Sequence, residues 1–127
     1  MPSILIIDDD EQVNSLLKMA LEDDYDVDSA FNGKEAKSLY QKKKYDVIVT
    51  DIIMPDVDGY EVILDLRRMG LSDRTIAISG GGRTSADDYL LTARHFDVAA
   101  SFSKPIDMEA FTAKIQEIIK NHQEGNP

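Results

Sequence analysis

The sequence contains no cysteine and no tryptophan, and only four prolines and seven glycines in 127 residues. Without cysteine there can be no disulfide, no thiolate metal site and no cysteine nucleophile, so the core must be held by apolar packing alone. Positive charge is also scarce: 14 Lys and Arg stand against 24 Asp and Glu, a formal net charge of -10. A chain of that sign is repelled by nucleic-acid phosphates and by anionic membranes, so no direct nucleic-acid partner and no membrane insertion are expected. No apolar run approaches the length needed to cross a bilayer, and residues 1–10 carry no basic segment followed by a long apolar stretch. A cytoplasmic protein is the expectation.

What is present suffices for one domain. Hydrophobic residues make up 43% of the chain, enough at this length for a single core. The domain is expected over residues 1–120, with a polar, fraying tail at 121–127.

The apolar residues come in short runs that end at polar ones. Residues 4–7 read as a strand buried on both faces, stopping at Asp8, Asp9 and Asp10. Val13, Leu16, Leu17, Ala20 and Leu21 follow at helical spacing, with Asp10 and Glu11 where the helix dipole favours negative charge. Tyr25, Val27 and Ser29 alternate with Asp26 and Asp28, the pattern of a half-exposed strand near a sheet edge. Asn32 with Glu35 resembles a capping box opening a second helix through Leu39 and Tyr40.

Residues 47–49 form a third strand ending at Thr50 and Asp51, and Tyr60, Ile63, Leu64 and Arg67 carry a third helix. Residues 76–78 repeat the theme, followed by Ser79, the glycines 80–82 and a fourth helix with Tyr89, Leu90, Ala93 and Phe96. A fifth strand is expected over 98–102. After Lys104 and Pro105, a last helix carries Met108, Phe111, Ile115, Ile118 and Ile119 on one side. Strands alternating with helices form right-handed crossovers, so the fold class is α/β, a parallel sheet with helices on both faces.

In such sheets the ligand crevice lies outside the carboxyl ends of the strands, where Asp8, Asp9, Asp51, Ser79 and Lys104 all fall. Three converging carboxylates must hold protons or bind a cation, and hard oxygen ligands with room for water suit Mg2+. One carboxylate can then attack a phosphoryl group while Lys104 neutralises charge on the transferring oxygens. The Ser79 hydroxyl can bond a phosphoryl oxygen and draw the adjacent glycines inward, which describes a switch rather than a turnover enzyme. Each residue alone reads equally well as a solvated helix start, a loop cap, a turn hydroxyl or a surface lysine. Their joint spacing decides.

That joint pattern resembles the response-regulator receiver family of two-component signalling over essentially the whole chain. It comprises Asp8-Asp9, Asp51-Ile52-Ile53-Met54-Pro55 with Gly59, Ser79-Gly80, and Lys104-Pro105. The resemblance implies a doubly wound, flavodoxin-like five-stranded sheet of order 2-1-3-4-5. It implies Asp51 as phosphoacceptor, with Mg2+ held by Asp9, Asp51 and the backbone carbonyl of Ile53, and by Asp8 through a bound water. A cis bond between Lys104 and Pro105 follows from the same resemblance. The donor it implies is a histidine kinase or histidine phosphotransfer protein, since neither His95 nor His122 lies in the motifs. Both histidines read as surface residues. The downstream partner is unknown, and in this family it docks on the face made by the fourth helix, fifth strand and last helix.

Two departures stand out. Receivers commonly carry Tyr or Phe three residues before the motif lysine, and here that position is Ser101. Phe102 is next to it, but one step along a strand reverses the face, so Phe102 reads as core. Ile53 and Gly81 occupy the positions that orient the hydrolytic water and offer it no side-chain hydrogen bond, so slow self-dephosphorylation is expected. Two other functions remain to be weighed. One is a degenerate receiver acting as a phosphorylation-independent interaction module. The other is a phosphatase of haloacid-dehalogenase type, which would need an acidic residue where Ile53 stands.

Overall fold

The structure, a computed structural model, describes residues 1–52, 59–79 and 98–124. Its strands are β1 (Ser3–Ile7), β2 (Asp26–Ala30), β3 (Val47–Asp51), β4 (Thr75–Ser79) and β5 (Ala100–Ser103). The described helices are α1 (Glu11–Leu21), α2 (Gly33–Lys42), α3 (Gly59–Arg68) and α4 (Met108–Glu124), with a single 3-10 turn at Ser72–Arg74. The helix expected around Tyr89, Leu90, Ala93 and Phe96 lies outside the described residues, as do the glycines 80–82 and His95.

All strands pair in parallel in the order β2-β1-β3-β4-β5, the expected doubly wound α/β sheet. Side chains alternate between its faces, so each inner strand serves two cores. Ile4 and Ile6 of β1, Val47 and Val49 of β3, and Ile76 and Ile78 of β4 meet Leu17 and Leu21 of α1 and Phe111, Ile115 and Ile118 of α4. Leu5, Ile7 and Ile48 meet Ala36 and Tyr40 of α2 and Val62 and Leu66 of α3 on the other side. Phe102 is half-buried and packs against the first cluster, edge-on to Phe111 with ring centroids 5.7 Å apart, so it faces the core as expected.

The polar residues close the ends and the edge. Asp10 caps α1, its Oδ1 accepting from Gln12 N at 2.9 Å and Val13 N at 3.3 Å. Asn32 caps α2 through Glu35 N at 2.8 Å, and Glu35 returns to Phe31 N at 2.8 Å. The capping box therefore closes one residue earlier than its usual form, on the backbone before the cap. At the edge strand β2, Lys43 Nζ lies 3.1 Å from both Asp26 and Asp28, and Tyr45 donates its hydroxyl to Asp28 at 2.7 Å. Charge along an edge discourages pairing with another chain.

Three sequence expectations need correction. Leu16 and Ala20, read as inward residues of the first helix, are exposed, and Asn14 takes the buried position with Leu17 and Leu21. A 3.6-residue period fixes a broad stripe, and its centre is set by packing. The expected tail at 121–127 is helical as far as Glu124. His122, expected at the surface, is only 24% exposed; its Nδ1 is 3.3 Å from Arg74 Nη2 and its Nε2 3.7 Å from the Asp73 carboxylate. Those partners sit at the entry to β4, far along the chain, which is why composition alone suggested fraying.

Candidate functional site

Strand alternation aims the key residues. Asp51 is the last residue of β3 and continues the parity of Val47 and Val49; Asp8 follows β1 with the parity of Ile4 and Ile6. Lys104 follows β5 with the parity of Ala100 and Phe102, which belong to the same cluster. Three strands thus deliver three charged groups to one side of the sheet's carboxyl rim. Lys104 Nζ lies 3.0 Å from Asp51 Oδ2 and 3.1 Å from Asp8 Oδ2. The Lys104–Pro105 bond is cis, as expected.

Asp8 is 0% exposed and Asp51 4%, whereas Asp9 is exposed and opens the group to solvent. Carboxylate oxygens of Asp8, Asp9 and Asp51 all lie within 4.8 Å of one another. Burial pushes the Asp8 carboxyl up to about 6, against the lowering effect of the Asp10 N–H, and the charge of Asp51 pushes it the same way. The Asp10 N–H bonds Asp8 Oδ1 at 2.9 Å. For Lys104 burial works against the charged form, but Asp51 and Asp8 outweigh it and hold the ammonium above its ordinary value.

One ammonium among three carboxylates leaves negative charge in a largely water-poor place, and every donor present is a hard oxygen. That donor set fits a small divalent cation which keeps several waters, as Mg2+ does. Ile53, whose backbone carbonyl was expected as a further ligand, lies outside the described residues, as does Gly81.

Ser79 ends β4 beside the group. Its carbonyl accepts from Lys104 N at 2.8 Å, and its side-chain Oγ is buried with no hydrogen-bond partner among the described residues. A buried hydroxyl in that condition is uncommon and costs stability unless something else completes it. Ser101 is half-buried on β5 opposite Ala77, on the face away from Phe102.

Asn14 was missed from the sequence. It is 1% exposed, and its Nδ2 donates to the Asp8 carbonyl at 3.1 Å and the Ala30 carbonyl at 3.0 Å. The available signal was its spacing, three residues before Leu17 and seven before Leu21.

Comparison with known proteins agrees with the family resemblance and the fold. The sequence model of the response regulator receiver domain matches residues 4–116. The transcriptional regulatory protein TrcR of Mycobacterium tuberculosis is 29% identical over 127 aligned residues, covering 92% of this chain and 45% of that protein. RpaA of Synechocystis, a DNA-binding dual master transcriptional regulator, is 33% identical over 123 aligned residues, covering 94% of this chain and 50% of that protein. The chain therefore spans about half the length of these curated relatives. Among solved structures, the receiver domain of Francisella response regulator 1452 superposes with a TM-score of 0.83 at 27% identity, covering 95% of this chain and 98% of that one. A CheY-like receiver domain protein from Methanospirillum hungatei gives 0.84 at 23% identity over 99% of both chains, a likeness of fold alone.

Proposed function

The chain belongs to the response regulator receiver family and is a signalling switch of the two-component type, and on that premise we propose that Asp51 is its phosphoacceptor. The observation that carries this reading is the contact set of Lys104, at 3.0 Å from Asp51 and 3.1 Å from Asp8, with Asp9 beside them. Asp8, Asp9 and Asp51 would hold Mg2+, with the Ile53 carbonyl as the remaining protein ligand. The ion supplies charge neutralisation for the transferring phosphoryl oxygens.

The chain's own groups do the rest. A carboxylate oxygen of Asp51 forms the new bond to phosphorus as the bond from phosphorus to the donor's imidazole nitrogen breaks; that nitrogen keeps the electron pair and takes a proton. Lys104 follows the developing charge from Asp51 to the phosphoryl oxygens. The Ser79 Oγ, without a hydrogen-bond partner among the described residues, would donate to one of those oxygens, and this new bond would pull on the chain that follows it. The donor is a histidine kinase or a histidine phosphotransfer protein, with acetyl phosphate as a small substitute. An apolar hollow of about 220 Å³ lined by Val13, Leu16, Pro105 and Ile106 opens beside Lys104 and supports a protein donor at this rim. The reaction belongs in the cytoplasm, where such donors are charged.

Ser101 favours a second reading, an interaction module that never carries phosphate, because the usual ring cannot follow the hydroxyl. Intact-mass measurement separates the two. The chain is incubated with Mg2+ and acetyl phosphate or phosphoramidate, then with a histidine kinase. One phosphoryl adduct, absent in EDTA and absent in Asp51→Asn, is expected; no adduct from any donor leaves the interaction module.

A further inference from the structure

Strands β1 and β2 stay paired to their last residues, Ile7 opposite Ala30, and Asp8 N–H still donates to the Ala30 carbonyl at 3.1 Å. The next rung of a parallel ladder would bring a β2-side backbone N–H to the Asp8 carbonyl. Here the chain instead turns at Asn32 into α2, and the hydrogen comes from Asn14 Nδ2, which bonds both the Asp8 and Ala30 carbonyls at 3.1 and 3.0 Å. Two carbonyl acceptors fix the amide's orientation, since a flipped amide would set oxygen against two oxygens. A polar group 1% exposed on the inner stripe of a helix is costly, the more so because its Oδ1 has no partner among the described residues. The same stripe carries Leu17 and Leu21, so an apolar residue would be the ordinary occupant.

We propose that Asn14 is a positioning residue for the metal-binding carboxylates, an inference that rests on the Mg2+ reading of the site. Its amide replaces the missing rung and fixes the backbone of Asp8 just where the chain leaves the sheet. Asp8 is then held at both ends, its carbonyl by Asn14 and its carboxylate by Asp10 N–H at 2.9 Å and Lys104 at 3.1 Å. Asp9 lies between Asp8 and the cap Asp10, so its carboxylate inherits that placement. Without the amide, the buried Asp8 carbonyl loses its donor while the Ala30 carbonyl keeps only the Asp8 N–H, and the turn carrying both acids shifts.

The test titrates Mg2+ calorimetrically into the full chain and follows urea unfolding in EDTA. Three proteins are compared: wild type, Asn14→Ala and Leu17→Ala. Groups that orient metal ligands typically change affinity about tenfold or more when removed. Asn14→Ala is therefore expected to bind Mg2+ at least about tenfold more weakly. Leu17→Ala, on the same helix face, loses stability but keeps the wild-type affinity. Asn14→Ser, which retains one donor, recovers part of the loss, and it carries the same criterion if Asn14→Ala does not fold without metal. An unchanged affinity in these Asn14 variants would overturn the inference while leaving the metal site intact. Absence of Mg2+ binding by wild type would instead overturn the metal reading itself.

Discussion

Replacing Asp8 with Asn should make the metal-free protein more stable at neutral pH, although it removes one partner of an ion pair. Burial dominates at Asp8, raising its carboxyl from 3.8 to about 6 even with Lys104 at 3.1 Å. The folded state therefore binds this proton more tightly than the unfolded state does. The penalty is complete above about pH 6, and it disappears as pH falls through that value towards 3.8. A shift of about two units at roughly 1.4 kcal/mol each amounts to about 3 kcal/mol. Asn keeps an oxygen for the Asp10 N–H bond and carries no charge to desolvate. Urea unfolding in EDTA, followed by circular dichroism at pH 7.5 and pH 4, should show Asp8→Asn more stable by up to about 3 kcal/mol at the higher pH and little different at the lower. Saturating Mg2+ should reverse the order, since it stabilises only the protein whose site is whole. An Asp8→Asn protein less stable than wild type in EDTA at pH 7.5 would refute this reasoning and make the Lys104 pairing the larger effect.

Lys104→Met leaves two buried carboxylates without their ammonium, and removing one partner of such a pair costs about 3 kcal/mol. Urea unfolding in EDTA at neutral pH measures the loss, and Mg2+ should restore a larger share of stability in this variant than it adds to wild type. Magnesium affinity itself should fall as pH drops below about 6, because the proton on Asp8 competes with the ion; calorimetric titration above and below that value gives the ratio. Tyr45→Phe removes the hydroxyl that most strongly holds the Asp28 carboxyl below 3.8, with Lys43 adding to the effect. A depressed carboxyl stabilises above its unfolded value and loses that contribution as pH falls through the folded one. The expected cost of about 1 kcal/mol at pH 7 should therefore shrink in acid, and equal denaturation curves at pH 7 would contradict it.

The acidic pair and Asp51 were legible because each closes a strand buried on both faces, whose end shows as an abrupt change of polarity, whereas Lys104 follows the polar, partly buried β5 and was legible only with Pro105 in the joint motif. Strand parity was legible from the alternation of side chains along a strand, and it placed Phe102 on the core side of β5. What escaped depended on helical phase or on distant partners. The stripe through Val13, Leu16, Leu17 and Leu21 is compatible with several rotations of α1, and only the packing of Leu17 and Leu21 against β1 and α4 turns Asn14 inward and Leu16 out. His122 and the end of α4 escaped because Arg74 and Asp73 lie 48 and 49 positions back in the chain. Glu35 was recognised as a capping partner, but which N–H it reaches depends on the path of the chain before Asn32.

Because alternate residues of β1 belong to opposite cores, the distance from that strand to the acidic rim is effectively quantised. Adding one residue between Ser3 and Ile7 would exchange the partners of Ile4 and Ile6 with those of Leu5 and Ile7. It would also turn Asp8 towards α2 and α3, away from Lys104. Adding two would restore every facing while lengthening the strand by one pleat. Drift in sequence can therefore lengthen the loops at the opposite end of the sheet in any increment, but it can alter these strands only in steps of two. The rim is insulated from most insertions by the arithmetic of the pleat and not by distance.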